Sequence, residues 1–290
     1  MIVAFPAGGG SDIVGRIVAA KLSERLGQQV VVENRAGGGG SIGAEAAVKA
    51  APDGYTIALA GTSEIAVNPF IYKLAYDPVK ELVPVGFVGA TPMVIVVTPS
   101  LSAKSAGDLV ALAKSQPGQL NVGSAGNGSL THLAGEAFRA MNGVTWTHVP
   151  YKGAPPALND LAGGRVQVMF STVPAAIGLI KSGLIRPIAV CVPSRTPALP
   201  DVPTVGESGL GPYDAQFWYG VFVPAATAKD VIAKLSDAVA QTVRDPGVVD
   251  ALGKQGVITA NMTPAQFSDY VKADAARWGK VVADSGAKAD

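Results

Sequence analysis

A single cysteine, Cys191, stands in 290 residues, which excludes an internal disulfide and any cysteine-rich metal site. It lies in the apolar run IAVCV, a strand pattern that reads as a small buried side chain. The only histidines, His132 and His148, have no HExxH or comparable spacing around them, so no metal site is expected. Neither sign of charge dominates: 23 basic and 22 acidic residues give a net charge of +1 with no basic stripe, which excludes a nucleic-acid partner. No apolar run approaches the roughly 20 residues of a bilayer-spanning helix. The GxxxxGK[ST] triphosphate cradle and the GxSxG nucleophile elbow are both missing. No acid, base and nucleophile assemble, so neither an enzyme nor a cofactor is expected. Met1 directly precedes the strand-like IVAF, leaving no room for an export leader. On the residues alone, the protein is either cytoplasmic or its leader is absent from this chain.

What the chain does have is 35 glycines and an alternation of strand-like and helix-like segments. That alternation predicts an α/β fold with largely parallel sheets. IVAF, the helix SDIVGRIVAAKLSERLG, VVVEN, the helix SIGAEAAVKA and YTIALAG form a first βαβαβ run. In the first helix Ile13 and Ile17, and Val14, Val18 and Leu22, recur at helical spacing and give one apolar face; Ser11 is the expected N-cap and Gly27 the expected stop. A second run extends from AGDLVALAKSQ to RPIAVCV, and three helices close the chain. The second unit reads as inserted into the first, with MVIVVTP and FWYGVFV as the two crossings. Residues 1–98 and 220–290 are expected to form one lobe and residues 99–219 the other, with a cleft between them. Ligands favour such interfaces and the carboxyl ends of strands.

Each lobe carries a glycine-rich loop at a strand-to-helix junction: PAGGGSD in the first and GSAGNGSLTH in the second. The unsatisfied amides that begin a helix, aided by its dipole, favour an anion there. Ser124, Asn127 and Ser129 add polar side chains to the second loop, and AGTSE places Thr62 and Ser63 at another strand end. Two facing anion sites are therefore expected. With no phosphate cradle, a carboxylate fits better than a phosphate. His132 either hydrogen-bonds the anion or caps its own helix, and the sequence leaves both open.

One rival pattern is present. GGGSIG, Gly38 to Gly43, satisfies GxGxxG before a helix, with Glu64 downstream for a ribose contact. It follows the second strand rather than the first and stands several residues beyond it. A dinucleotide-binding enzyme is thus the alternative, and a carboxylate sensor with a signalling partner is a further one.

FPAGGGSDIVGR, VVVENRAGGGGSIGAEAAVKAAPDGYT, GSAGNGSLTHLAGEAF, VPYKGAPPALNDLAGGRVQVMF and PTVGESGL together resemble the solute receptors of tripartite tricarboxylate transporters, the Bug family. The resemblance runs over essentially the whole chain. It implies a two-lobed periplasmic binding protein, a Venus flytrap of type II-like form with two crossing strands and a central cleft. It further implies a monomer that captures a small organic carboxylate and delivers it to a membrane permease. By match of motif, Phe5, Ala7, Gly8, Gly9 and Ser11 would wrap one carboxylate, with Thr62 and Ser63 nearby. Ser124, Gly126, Asn127, Gly128, Ser129 and His132 would hold the other end, with Tyr151, Ser171 and Thr172 lining the wall. Some members carry an acidic residue at the position of Ser171, suited to a ligand ammonium group; serine here counts against amino-acid ligands. A periplasmic location follows from the resemblance alone, since this chain shows no leader.

Overall fold

The computed structural model describes residues 1–285. Residues 286–290, which the sequence assigns to the first lobe, lie outside the described residues. The first βαβαβ run comprises β1 (Ile2–Val3), α1 (Gly10–Leu26), β2 (Glu33–Asn34), α2 (Ser41–Val48) and β3 (Ala58–Gly61). β1 lies between β2 and β3 and is parallel to both. α1 buries Val14, Val18 and Leu22 and stops at Gly27, whose φ of 64° is the left-handed turn glycine allows. Its start differs from expectation, because Gly9 occupies the N-cap and Ser11 lies inside the first turn. Asp12 organises this turn instead: its carboxylate accepts from the Gly8 amide at 2.9 Å, from Arg16 at 3.0 Å and from Asn34 at 3.0 Å.

After β3 the chain enters a π-helical turn, Thr62–Val67, followed by the short helices α3 (Asn68–Ile71) and α4 (Pro78–Glu81). None of the three had a sequence signal. Next comes β4 (Leu82–Val97), a strand of 16 residues. The second run follows as α5 (Ala106–Ser115), β5 (Asn121–Ser124), α6 (Leu130–Asn142), β6 (Thr147–Pro150), α7 (Ala154–Ala162), β7 (Val168–Thr172), α8 (Val173–Lys181) and β8 (Arg186–Val190). The chain returns through β9 (Gln216–Pro224) and ends in α9 (Lys229–Arg244), α10 (Pro246–Lys254) and α11 (Pro264–Ser285).

β4 serves both halves of the two-lobed α/β fold. Leu82 to Pro92 pair with β9, whereas Met93 to Val97 pair with β7 and β8. All of these pairings are antiparallel, as is β3 with β9. The expectation of largely parallel sheets therefore holds only at the two ends of the strand order, for β1 with β2 and β3 and for β5 with β6 and β7. The physical reason is the insertion itself: a chain that crosses out through β4 and back through β9 runs in opposite directions on the two passes. Of the closing helices, α9 packs on α1 and β4, and α11 packs on the π-helical turn and β4 and also reaches α6. Trp218 Nε1, buried in β9, donates to Asp274 of α11 at 2.7 Å. Cys191 is fully buried, and that burial pushes its thiol well above the ordinary range. Among the described residues no helix is long and apolar enough to cross a membrane.

Candidate functional site

The carboxyl ends of β1 and β3 in one half and of β5 and β7 in the other converge on a cavity of about 40 Å³. Phe5, Gly9, Gly10, Ser11, Ser63, Phe217 and Tyr219 line it from the first half. Ala125, Ser129, Leu130, Thr131, Ala154 and Thr172 line it from the second. No charged side chain is in this wall. A wider cavity of about 220 Å³ continues outward past Phe5 and Ala125, between Gly37 to Gly40 on one side and Asn127, Tyr151 and Lys152 on the other. A larger groove of about 470 Å³ lies elsewhere, at the amino ends of β1 and β3. It is walled by Leu26, Val31, Tyr55 and Leu235 and draws on one half only.

The halves touch directly across the cleft. The Leu130 amide donates to Ser63 Oγ at 3.0 Å, and the Tyr72 hydroxyl donates to the Asn127 carbonyl. Gly39 backs onto Asn127 and Ser129 so closely that a β-carbon there would lie 2.7 Å from the Asn127 oxygen. A β-carbon on Gly10 would lie 2.6 Å from Thr172 Oγ1 and 3.2 Å from the Tyr219 hydroxyl. These glycines let backbone approach backbone, so the arrangement is closed.

The donors at the cavity are fewer than the loops suggest. The Gly8 amide is held by Asp12 and the Gly9 amide by the Pro6 carbonyl. In the second loop, Ala125 donates to Thr131 Oγ1 at 2.8 Å, Gly126 to Ser124 Oγ at 3.2 Å and Gly128 to His132 Nδ1 at 3.3 Å. The amides of Gly10 and Ser11, first in α1, make no hydrogen bond among the described residues. Beside them, the Tyr219 hydroxyl is 1% exposed with its residue and has no aligned partner. Its burial raises its pKa well above the ordinary range, so it is a donor at neutral pH. Two helix starts, of α1 and α8, thus flank a buried hydroxyl, and α6 and α7 begin at the same wall. The helix dipoles and neutral donors provide a positive potential without a cation.

The sequence-predicted residues divide into three groups. Phe5, Gly9, Ser11, Ser63, Ser129 and Thr172 stand at the inner cavity, and Gly126, Asn127 and Tyr151 at the outer one. The rest line neither. Ala7 and Gly8 are exposed, and Gly128 packs against Tyr72 and Ile71. Thr62 Oγ1 accepts from the Trp218 amide at 3.0 Å, and Ser171 donates to the carbonyl of Thr172 at 3.2 Å. Ser124 bonds His148 Nε2 at 2.7 Å, and His132 stacks on that ring with centroids 4.0 Å apart. His132 Nδ1 accepts from the Gly128 amide, and His132 is not among the residues that line the inner cavity. Tyr151 lends its ring to the outer wall, but its hydroxyl is turned to Asp160 at 2.8 Å; desolvation and that carboxylate push it up to about 12.

Sequence reasoning missed Ala154, Phe217 and Tyr219 altogether, whereas Gly10, Ala125, Leu130 and Thr131 fall inside the two glycine-rich loops without having been singled out. For Phe217 and Tyr219 a signal existed, since alternation along FWYGVFV places them on one face and Trp218 on the other. The GGGSIG reading loses its premise. Gly38 to Gly40 form a tight turn against the opposite half, and Glu64, the supposed ribose contact, is fully buried beneath Gly40.

Comparison with known proteins agrees with this geometry. Residues 14–287 match the profile of the tripartite tricarboxylate transporter family receptor. BugT of Bordetella pertussis is 37% identical over 290 residues, covering 99% of this chain and 89% of BugT. The structure of R. palustris Rpa4515 with adipate superposes with a TM-score of 0.96 at 35% identity, covering 100% of this chain and 97% of that one. MatC from Rhodopseudomonas palustris with bound malate gives 0.92 at 29% identity, covering 97% of each chain. The cleft is closed from both sides and lies in a chain matched almost end to end, and the chain belongs to the tripartite tricarboxylate transporter receptor family.

Proposed function

We propose that this protein, acting as a monomer in the periplasm, captures a small organic carboxylate between its lobes and delivers it to the permease of a tripartite tricarboxylate transporter. The observation that carries the reading is the inner cavity, where free amides of Gly10 and Ser11 meet the Tyr219 hydroxyl, which lies beside Thr172 without a well-aligned hydrogen bond, and no charged side chain is present. Hydrogen bonds to an ionised group contribute about 1.5–3 kcal/mol each. The three donors would contribute about 4.5–9 kcal/mol, a range that reaches the roughly 8 kcal/mol of a micromolar complex without an arginine. The adipate and malate bound by the two R. palustris proteins support a carboxylate as the ligand class. Lys152 at the outer cavity suits the distal carboxylate of a longer diacid.

The lobes are proposed to divide where the crossing strands change partners, at Pro92–Met93 and Ala215–Gln216, a few residues from the expected 98/99 and 219/220. The pairing registers of β4 and β9 support that division. Contacts from both lobes are what bias a binding protein toward its closed form, and closure is the signal a permease can read.

A thermal-shift panel on protein unfolded and refolded to strip carried-over ligand tests the reading. The panel contains adipate, malate, aromatic acids, acidic amino acids and a nicotinamide dinucleotide. A ligand at about 100 times its Kd adds about 2.7 kcal/mol, or roughly 5 °C for a chain of this size. A shift with a carboxylate alone supports the proposal; a shift with the dinucleotide alone overturns it.

A further inference from the structure

Glu64 has no role in the site as described. It sits in the π-helical turn directly after Ser63, with 0% of its surface exposed. Oε2 accepts one hydrogen bond, from the Gly61 amide at 3.2 Å, and Oε1 has no partner. Among the described residues no cation pairs with it. Around a carboxylate this is a costly setting, because an ionised acid out of water needs a counter-charge or several donors. Burial accordingly pushes its carboxyl up to about 7, opposed only by backbone amide bonds.

The surroundings connect it to the cavity. A β-carbon at Gly40 would touch both Glu64 and Phe5, at 2.8 and 3.3 Å, so the acid lies just behind a ring that lines both cavities. Tyr219 of β9 feels the charge of Glu64, which contributes to raising its pKa. A ligand carboxylate at the Tyr219 hydroxyl would occupy the same region and feel the same repulsion. The remaining ionisable groups on the packed elements do not offset it. Tyr76, between α3 and α4, is itself held neutral by burial and by Glu64 and Glu45. On α4, Lys80 is paired with Asp77; on α6, His132 is committed to the Gly128 amide; on α11, Asp274 is held by Trp218 and Arg277. α2, which also packs on the turn, brings Glu45, paired with Lys49, while β3, α3 and the turn at Gly38 to Gly40 bring no ionisable group.

We propose that Glu64 is a proton-linked positioning residue of this site: the anionic solute and a proton on Glu64 are held together, so the receptor binds its carboxylate together with a proton. The inference rests on the carboxylate reading above. Protonated, Glu64 keeps the wall behind Ser63 and Phe5 neutral; ionised, it sets a second negative charge beside the anion. Ligand binding must then raise the affinity of Glu64 for its proton by the same factor that the proton raises ligand affinity.

The test is calorimetric titration of wild type and Glu64→Gln with adipate, and with malate, from about pH 6 to about pH 9. Above about pH 7, where the fall is read, both ligands are fully ionised, since carboxyls titrate well below that. Wild-type affinity should be level at the acid end and fall up to about tenfold per pH unit above about 7, with uptake of up to about one proton read from buffers of different ionisation enthalpy. Glu64→Gln should show a level profile and no uptake. A level wild-type profile without proton uptake overturns the inference, as does an unchanged slope in the variant. If the variant does not fold, wild-type proton uptake decides alone. Binding at every pH without proton linkage leaves the carboxylate reading standing, whereas no binding of either acid or of the aromatic acids at any pH removes both.

Discussion

Replacing Gly39 by alanine should weaken ligand binding by obstructing lobe closure, while the same change at Gly38 should not. Both residues have left-handed backbones, with φ of 58° and 54°. An alanine at either costs about 1–2 kcal/mol of backbone strain, in the open and the closed form alike. What the added methyl meets is different. At Gly38 it meets the hydroxyl of Ser41, a side chain of its own turn that can rotate away. At Gly39 it would lie 2.7 Å from the Asn127 oxygen and 3.2 Å from the Ser129 nitrogen, backbone atoms of the opposite lobe. Backbone cannot rotate aside, so the lobes must part. Overpacking of this kind costs about 1–3 kcal/mol. Because it burdens the closed form only, it should raise Kd about 5- to 150-fold. Calorimetric Kd values for both variants, with ligand-free Tm as the control for strain, make the comparison. Equal affinities would refute the argument that this approach of Gly39 is part of ligand closure.

Tyr219→Phe removes a buried hydroxyl with no aligned partner, so the ligand-free Tm should hold or rise while carboxylate affinity falls about 10- to 150-fold; an unchanged Kd would place the hydroxyl outside the contact. Ser63→Ala deletes the acceptor of the Leu130 amide, and hydrogen exchange at Leu130 should accelerate about 5- to 150-fold, from about 1–3 kcal/mol of lost protection. Unaltered exchange there would mean that the cross-lobe bond carries no load. Glu64 keeps its proton to about 7 when folded against an ordinary 4.5, so the folded state binds more protons than the unfolded one between those values. Stability should therefore fall across that window, by about 3 kcal/mol in all, and Glu64→Gln should not share the loss. Urea unfolding at the two ends of the window measures this, and parallel curves for both proteins would reject it.

Much of the architecture was legible along the chain because local periodicity reports which residues seek a core. Val14, Val18 and Leu22 marked one face of α1, Gly27 marked its end, and the apolar segments around Val94 and Tyr219 marked the strands that link the lobes. The glycine-rich loops marked two strand-to-helix junctions that do meet at one cavity. The use of their amides was not legible. Whether Gly8 donates to a ligand or to Asp12 depends on where Arg16 and Asn34 fix that carboxylate, and Asn34 comes from a different strand.

By itself the sequence determined an α/β chain without metal-ligand spacing or a catalytic constellation, with glycine-rich helix starts suited to an anion. Only the tertiary structure decided which groups are left to meet that anion. Tyr219 joins the cavity wall because β9, returning antiparallel between β3 and β4, carries it past Gly10 and Thr172. Gly39 becomes an inter-lobe contact because the second loop closes onto it. The Glu64 carboxyl is pushed up to about 7 because no cation follows it into the interior. The physical reason is common to all three: propensity and periodicity act over a few residues, whereas desolvation and hydrogen-bond satisfaction are settled by groups far apart in the chain.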